Sequence, residues 1–577
     1  MQHPREWGKA GELAERLCRL WHRLRDFVKS NGKQISRLFS LVLSAALLGM
    51  AIGSIARYIV GPAEGFYTSD CTDTLWWANA SYESGKLISD TFGYAALLPF
   101  GGSLLMLPLI PIFGVSLLTQ KIGMLLFLCL LVASILFFTR SIGMRLLPSS
   151  LTVFCTLLLL SQSAKLREIM WEHIIYYSLG ILFFCVGLGL LFRLRRALAE
   201  KNRNRTVLWG ALLLVFACFS ATNGLQSLVT WTVPVVFGVG MVWLLDENKE
   251  GFWRRTRETA VIVAGIGIAT LFGIALLGIL ADGVKAAYAD GYSVFSKTEA
   301  WIDNLLSLPR NWYTLCGVQT VDGESIKDAA AIVKLLRILL ATLLPVYPIT
   351  AVLGRKRPSR DAVAVTVYAH IGVTLFLLFA CTFGALGGAN WRLVPMLGTS
   401  VLATAAVLFD RITSDRSSLR RIAILILVLC FLVSFITMSE IGEIPFDYGR
   451  DNAPHTVVAE LEARGLTKGY ASFWKGHLMT LLSDGDVKLC DFSILQRYVD
   501  GEPMKSPVRR LYQSEPSWFD DTGYAETFLL LDRSEADQLS RWLSVQGDRI
   551  IEQFELPAGT TTWRVYVFSG GVPLETN

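Results

Sequence analysis

Charge is scarce in this chain. Of its 577 residues only 18% are charged, where soluble globular domains carry about a quarter. With 53% hydrophobic residues and a mean hydropathy of +0.45, an ordinary soluble domain is excluded and a polytopic membrane protein is expected. The net charge of +6 sits mainly in short basic loops, so it reports topology and implies no nucleic-acid partner. A cleavable signal pattern is also missing: a polar, basic stretch of roughly 30 residues precedes the first apolar run. Internal repeats are absent, and the hydropathy halves do not superpose as inverted repeats would. Ionisable residues are nearly absent from the apolar runs. His370 is the exception, and a helix-packing role is expected for it. These last two absences weigh against an ion-coupled transporter. The 10 cysteines lack metal-ligand spacing and read mostly as small buried hydrophobes. Cys71 and Cys316 fall in loops expected on the same side, which allows a disulfide between them.

What is present is a series of apolar runs long enough for a ~30 Å hydrocarbon core. They lie near 39–60, 122–139, 146–163, 174–192, 206–222, 228–245, 260–281, 331–353, 362–383, 393–409 and 421–439, which makes eleven spans. A further segment, 97–115, carries Pro99, Pro108, Pro111 and Gly101-Gly102. Lys/Arg placement decides its status. With 97–115 excluded, one side collects the N-terminal cluster (Arg16, Arg19, Arg23, Arg25, Lys29, Lys33, Arg37), Arg140 and Arg145, six basic residues over 193–205, Arg254 to Arg257, Arg355 to Arg360, and Arg411 to Arg421. The positive-inside rule then puts the N-terminus in the cytoplasm and the C-terminus outside, with 97–115 re-entrant or interfacial. Residues 441–577 are polar with no spanning run. Their alternation predicts helix 454–464, strand 468–473, helix 476–483, strand 487–492, a proline-bearing loop, strand 526–532, helix 534–545, and strands near 549–555 and 562–568.

Three groups of polar residues fall on the outer side of this topology. Asp70 and Asp73, at i and i+3, share a helix face, with Trp76 and Trp77 beyond them as interfacial anchors. A plain alternative makes Asp70 an N-cap and Asp73 an N3 residue of a helix ending at Gly85, where the helix dipole would lower both pKa values. The loop between spans three and four crowds Lys165, Arg167, Glu168, Glu172 and His173, either as a solvated loop with an Arg167–Glu172 pair or as cations for an anionic head group plus a second acid. Arg392 opens span ten on the side poor in positive charge. It either snorkels to lipid head groups or holds a phosphate or carboxylate. Lys334 and Arg337 are similar, weaker candidates. The Asn79-Ala-Ser81 sequon lies within a predicted helix. Acids at a membrane-face helix and cations at head-group level suit a reaction on a lipid-linked phosphate. Its leaving group needs cations, and its acceptor hydroxyl needs one carboxylate on the opposite face.

The chain resembles the GT-C superfamily of integral-membrane glycosyltransferases, near the protein mannosyltransferase and aminoarabinose transferase branch. The resemblance rests on Ser69-Asp-Cys-Thr-Asp73 after one span, then Ser84-Gly, Phe92-Gly-Tyr94, Pro99-Phe-Gly-Gly, Pro108 and Phe113-Gly114, with Trp171-Glu-His173 and Arg392-Leu-Val-Pro395 further on. It implies Asp70 or Asp73 as the catalytic acid. It implies Arg392 on the donor phosphate with Lys165 or Arg167 helping, and Glu172 and His173 as supporting polar groups. The acids are spread to i, i+3 rather than adjacent, and Leu393 replaces the family's Tyr. No divalent metal is assumed, and a lipid-linked sugar serves as co-substrate.

The expectation is therefore a polytopic α-helical membrane protein of about eleven transmembrane helices, GT-C-like, with a small C-terminal extracytoplasmic α/β domain. It divides into a basic cytoplasmic segment 1–38, a transmembrane domain 39–440 with outer loops 61–121 and 282–330, and the α/β domain 441–577. The expected activity is inverting transfer of a monosaccharide from a polyprenyl-phosphate donor to an extracytoplasmic glycan, lipid or protein acceptor, at the plasma membrane. The alternative is a transporter or flippase of a lipid-linked saccharide.

Overall fold

The computed structural model describes residues 33–576, except residue 35 and the stretches 247–250, 285, 287–290, 354–357, 359, 386, 414–416, 500–501 and 560. Most of the N-terminal basic segment and Arg355–Arg357 thus lie outside the described residues. Within them, ten helices are long and apolar enough to cross a membrane, from Ser36–Val60 to Leu419–Glu443, and a bent pair makes up to eleven. The chain is a multi-pass membrane protein. The bent pair is Leu146–Leu159 with Ala164–Trp171, turned through 116°. Ser163 starts the second limb, its hydroxyl accepting from the Leu166 amide and capping the new N-terminus.

Segment 97–115 does not span. Its apolar helix, Ser103–Phe113, is too short. Pro108 and Pro111 supply no N–H to a helical ladder, and the segment breaks into the turns Ser103–Met106, Leu107–Leu109 and Ile110–Phe113. Gly114, at φ 64°, then redirects the chain into Leu117–Ile142; an L side chain is disfavoured in that conformation.

The C-terminal domain is a mixed six-stranded sheet. Its strands are β1 (Lys468–Ala471), β2 (Lys488–Val499), β3 (Glu502–Arg509), β4 (Glu526–Asp532), β5 (Ile550–Ala558) and β6 (Thr561–Ser569), in the order β3-β2-β1-β4-β6-β5. β1 runs parallel to both neighbours, and the remaining pairs are antiparallel. Val457, Leu461, Leu489, Phe528 and Val565 fill one core layer beneath the helices. The sequence expectation read a loop through Pro503 and Pro507, where the structure extends β2 to Val499 and adds β3, and the helix expected over 534–545 is two short helices, Arg533–Gln538 and Ser540–Val545. β3 is an edge strand, where a proline's missing donor can face away from the partner strand.

Helix Phe473–Leu482 connects β1 to β2 and packs on the acid-bearing turn Ser69–Thr72, where the Leu478 amide donates to Ser69 Oγ at 3.4 Å. Elsewhere the domain grips the same loop. The amides of Gly93 and Gln513 bond the carbonyls of Ser514 and Gly93, at 3.1 and 2.6 Å. Glu515 accepts from the hydroxyls of Ser89 and Thr91. A Cβ at Gly93 would stand 2.0 Å from the Leu511 carbonyl oxygen, so this approach needs glycine.

Candidate active site

Asp70 lies in the 3-10 turn Ser69–Thr72, and Asp73 opens helix Asp73–Ser84, which ends at Gly85 in a left-handed conformation. Neither carboxylate caps the helix. Thr72 holds the N-cap position without a capping bond, its hydroxyl donating instead to the Ser69 carbonyl, while Thr68 and Cys71 bond reciprocally across the preceding turn. The expectation that the helix dipole lowers both pKa values is reversed. Burial pushes Asp70 up to about 6, with Glu168 adding and Lys165 opposing. Burial also holds Asp73 well above the carboxylate range, the charge of Asp70 adding and the Gln513 amide opposing. Loss of water outweighs the half-charge of a helix end here. Trp76 and Trp77, expected at a lipid interface, are buried under the C-terminal domain, with the Trp76 ring 5.4 Å from His477.

The second group of polar residues divides. Lys165 pairs with Glu168 at 2.5 Å and stands 5.1 Å over the Trp391 ring, next to Arg392. His173 accompanies the acids. Its Nδ1 lies 3.2 Å from the Asp70 carbonyl, its Nε2 is buried without a partner, and burial lowers its pKa to about 4. Glu172 and Arg167 turn inward. Glu172, 1% exposed, accepts from Tyr58 Oη at 2.6 Å and lies 3.5 Å from Cys71 Sγ. Burial raises its pKa to about 8. Arg167 packs over the rings of Tyr58 and Phe66 and donates to the Ser161 carbonyl. Gln120 closes this layer, its amide donating to the carbonyls of Cys71 and Glu172.

Arg392, in the turn Asn390–Leu393, lines an apolar cavity of about 320 Å³ together with Tyr176, Gln226, Phe379 and Phe383. Tyr176 lies within electrostatic reach of both Arg392 and Asp73, so it links the cavity to the acids. The Asp70 carboxylate has no hydrogen bond or ion pair among the described residues, and the residue is half-buried.

Other sequence candidates have structural partners. Lys334 pairs with Glu324 at 2.5 Å, and Arg337 pairs with Glu440. His370 bridges Thr399 Oγ1 and the Pro345 carbonyl. Cys71 and Cys316 are free thiols. Asn79 of the sequon is buried within its helix. The span 282–330 contains the helix Ala300–Leu315, whose Trp312 is buried and donates to the Ala341 carbonyl. Among the described residues no group of three or more His, Cys, Asp or Glu is placed to hold a metal ion.

Gln513 was not legible as a site residue. It sits at φ 54°, its Oε1 accepts from Trp77 Nε1 at 2.7 Å, and its buried Nε2 has no partner. It acts on Asp73 from the far end of the chain.

No known family model matches the chain, and no curated protein matches it. Among solved structures it is similar to the oligosaccharyltransferase of Archaeoglobus fulgidus in the apo form, at 13% identity and a TM-score of 0.41 over 78% of this chain. This chain spans 64% of the length of that structure. It is also similar to the Archaeoglobus fulgidus oligosaccharyltransferase tethered through a disulfide to an acceptor peptide containing the NVT sequon. There the identity is 11% and the TM-score 0.38, over 90% of this chain and 74% of the other.

Proposed function

We propose that the chain is a GT-C-type inverting glycosyltransferase, moving a monosaccharide from a polyprenyl-phosphate donor to an acceptor hydroxyl at the extracytoplasmic face of the plasma membrane. The acceptor is a cell-envelope glycan, lipid or protein. The observation that carries this reading is the Asp70 carboxylate, unpartnered among the described residues, within reach of a Lys165 that stands over Trp391, whose neighbour Arg392 lines an apolar cavity. Phe379 and Phe383 would shelter the start of the isoprenoid chain, and Arg392 with Lys165 would take the phosphate. Arg392 suits that anion because its planar donors match two oxygens at once.

In the reaction the acceptor oxygen bonds to the anomeric carbon as the bond from that carbon to the phosphate oxygen breaks. The electron pair leaves with the lipid phosphate, where the cations stabilise it. The hydroxyl proton passes to Asp70. A carboxylate raised to about 6 accepts a proton more readily than an ordinary aspartate and is still largely ionised at neutral pH. Asp73, whose neutral form burial favours, fits a positioning role, and Arg167 with Glu172 braces the loop from behind.

The test is transfer from a labelled polyprenyl-phosphoryl hexose to a panel of acceptors by purified protein, wild type against Asp70→Asn and Asp73→Asn. Transfer unaffected by either change sinks the site, and lipid scrambling without transfer favours the flippase alternative.

A further inference from the structure

A second cleft lies at the opposite end of the bundle from the acids. Helix Leu117–Ile142 begins near Glu64 and Lys121 on the acid face, and it ends beside Arg145. Helix Val394–Thr413 likewise follows Arg392 and ends in this cleft. The cleft has a volume of about 770 Å³ and runs between helices Leu146–Leu159, Val394–Thr413 and Ser417–Glu443. Its walls are apolar, with Leu151, Ala405, Leu408 and Leu427 among them, and Arg145 and Arg360 stand at its mouth. From Arg145 to Cys155 it follows the helix for about 15 Å at 1.5 Å per residue, half of a ~30 Å hydrocarbon core. The cleft is therefore as deep as one leaflet.

The mouth is crowded with positive charge. Arg193 is close enough to Arg196 and to Arg140 to be repelled by both. Arg360 packs 4.5 Å over the Phe409 ring, and its Nη1 lies 3.4 Å from the Ile142 carbonyl. Among the described residues, none of Arg140, Arg145, Arg193, Arg196 and Arg360 forms an ion pair; they bond backbone carbonyls or Ser141, and Arg145 has no partner. Of the carboxylates nearby, Asp361 and Glu258 act on Arg195, Asp361 also stands with Arg196 and Arg360 in a neighbouring hollow, and the buried Asp410 has partners of its own. Clustered guanidiniums that form no ion pair among the described residues, above an apolar slot one leaflet deep, match a molecule with an anionic head and a hydrocarbon tail.

We propose that this cleft binds an anionic glycerophospholipid, its phosphate at Arg145 and Arg360 and one acyl chain between the three helices. The site is separate from the donor cavity and does not depend on the reaction proposed above.

The experiment is native mass spectrometry of the delipidated full-length protein in an uncharged detergent, titrated with phosphatidylglycerol, phosphatidylcholine or inorganic phosphate. One phosphatidylglycerol is expected to stay bound at collision energies that strip phosphatidylcholine. Arg145→Gln with Arg360→Gln should lower that retained fraction at least fivefold. Ala405→Trp, which fills the slot and leaves the arginines in place, should do the same. Arg254→Gln, at a residue paired with Glu258, should not. Equal retention of phosphatidylcholine, or retention unchanged in both cleft variants, overturns the proposal. Displacement of phosphatidylglycerol by inorganic phosphate at equal concentration also overturns it, since the site would then recognise a free anion. If the double variant fails to fold, Arg145→Gln decides alone, because that residue is exposed and unpartnered.

Discussion

Trp77 donates its indole N–H to Oε1 of Gln513 at 2.7 Å, joining residues 436 positions apart. With that oxygen occupied, the Gln513 amide nitrogen remains directed to its surroundings, where Asp73 is the acid it influences. The C-terminal domain therefore contributes to the electrostatics of the acid-bearing helix as well as covering it.

Gln513→Leu removes the acceptor and leaves the buried Trp77 N–H without a partner. An orphaned buried donor costs about 1–3 kcal/mol, so this variant should unfold correspondingly earlier in denaturant or heat. A stability equal to wild type would show that the indole finds another acceptor.

Asp70 must be ionised to accept the hydroxyl proton, so transfer should fall as pH drops through about 6, the value to which burial raises this carboxyl. Asp70→Asn should lower kcat by roughly 10²–10⁴-fold. Asp73→Asn should cost far less, since burial already favours the neutral form of that residue. A pH-rate profile of kcat/KM on wild type and both variants checks all three statements.

Arg392→Ala should raise the KM for the donor more than that for the acceptor, because Arg392 lines the apolar cavity proposed to shelter the lipid. Lys165→Ala should act in the same direction with a smaller effect, since Lys165 is shared with Glu168. Steady-state kinetics with each substrate varied in turn decides it.

Glu172 and Glu64 should give opposite pH dependences of stability. Burial raises Glu172 from 4.5 to about 8. The unfolded chain releases this proton first, so the contribution of Glu172 is fully present below 4.5 and is lost as pH rises through about 8. Glu172→Gln should flatten that decline. Glu64 bonds His455 and Lys121, which bring it down to about 2. Its contribution is present above 4.5 and is lost as pH falls toward 2. Glu64→Gln should remove that part of the acid sensitivity. Melting temperature against pH for the two variants and wild type separates the terms.

The spans were readable because lipid demands long apolar helices, and the prolines at 108 and 111 marked the segment that does not cross. The α/β alternation was equally plain except from the second half of β2 through β3, where an edge position tolerates prolines that a central strand would reject. The site was readable only in part. Asp70, Asp73, Lys165 and Arg392 stood out as charges at the ends of apolar runs. Glu172 and Arg167 stood out in the same way, yet they face inward to Tyr58 and Phe66. Local spacing could not separate the two sets, because the side a short helix presents depends on the 116° bend before it. Gln513 had no local signal, since its significance arises from a contact across almost the whole chain.

That bend also sets a depth. Helix Leu146–Leu159 has 14 residues and covers about 21 Å at 1.5 Å per residue, short of a ~30 Å hydrocarbon core. The chain turns sideways before reaching the surface plane, carrying Lys165 and Glu168 with it. In the reaction proposed above, this limb, set below the level a full crossing would reach, would bring a lipid phosphate and a water-borne hydroxyl to one depth.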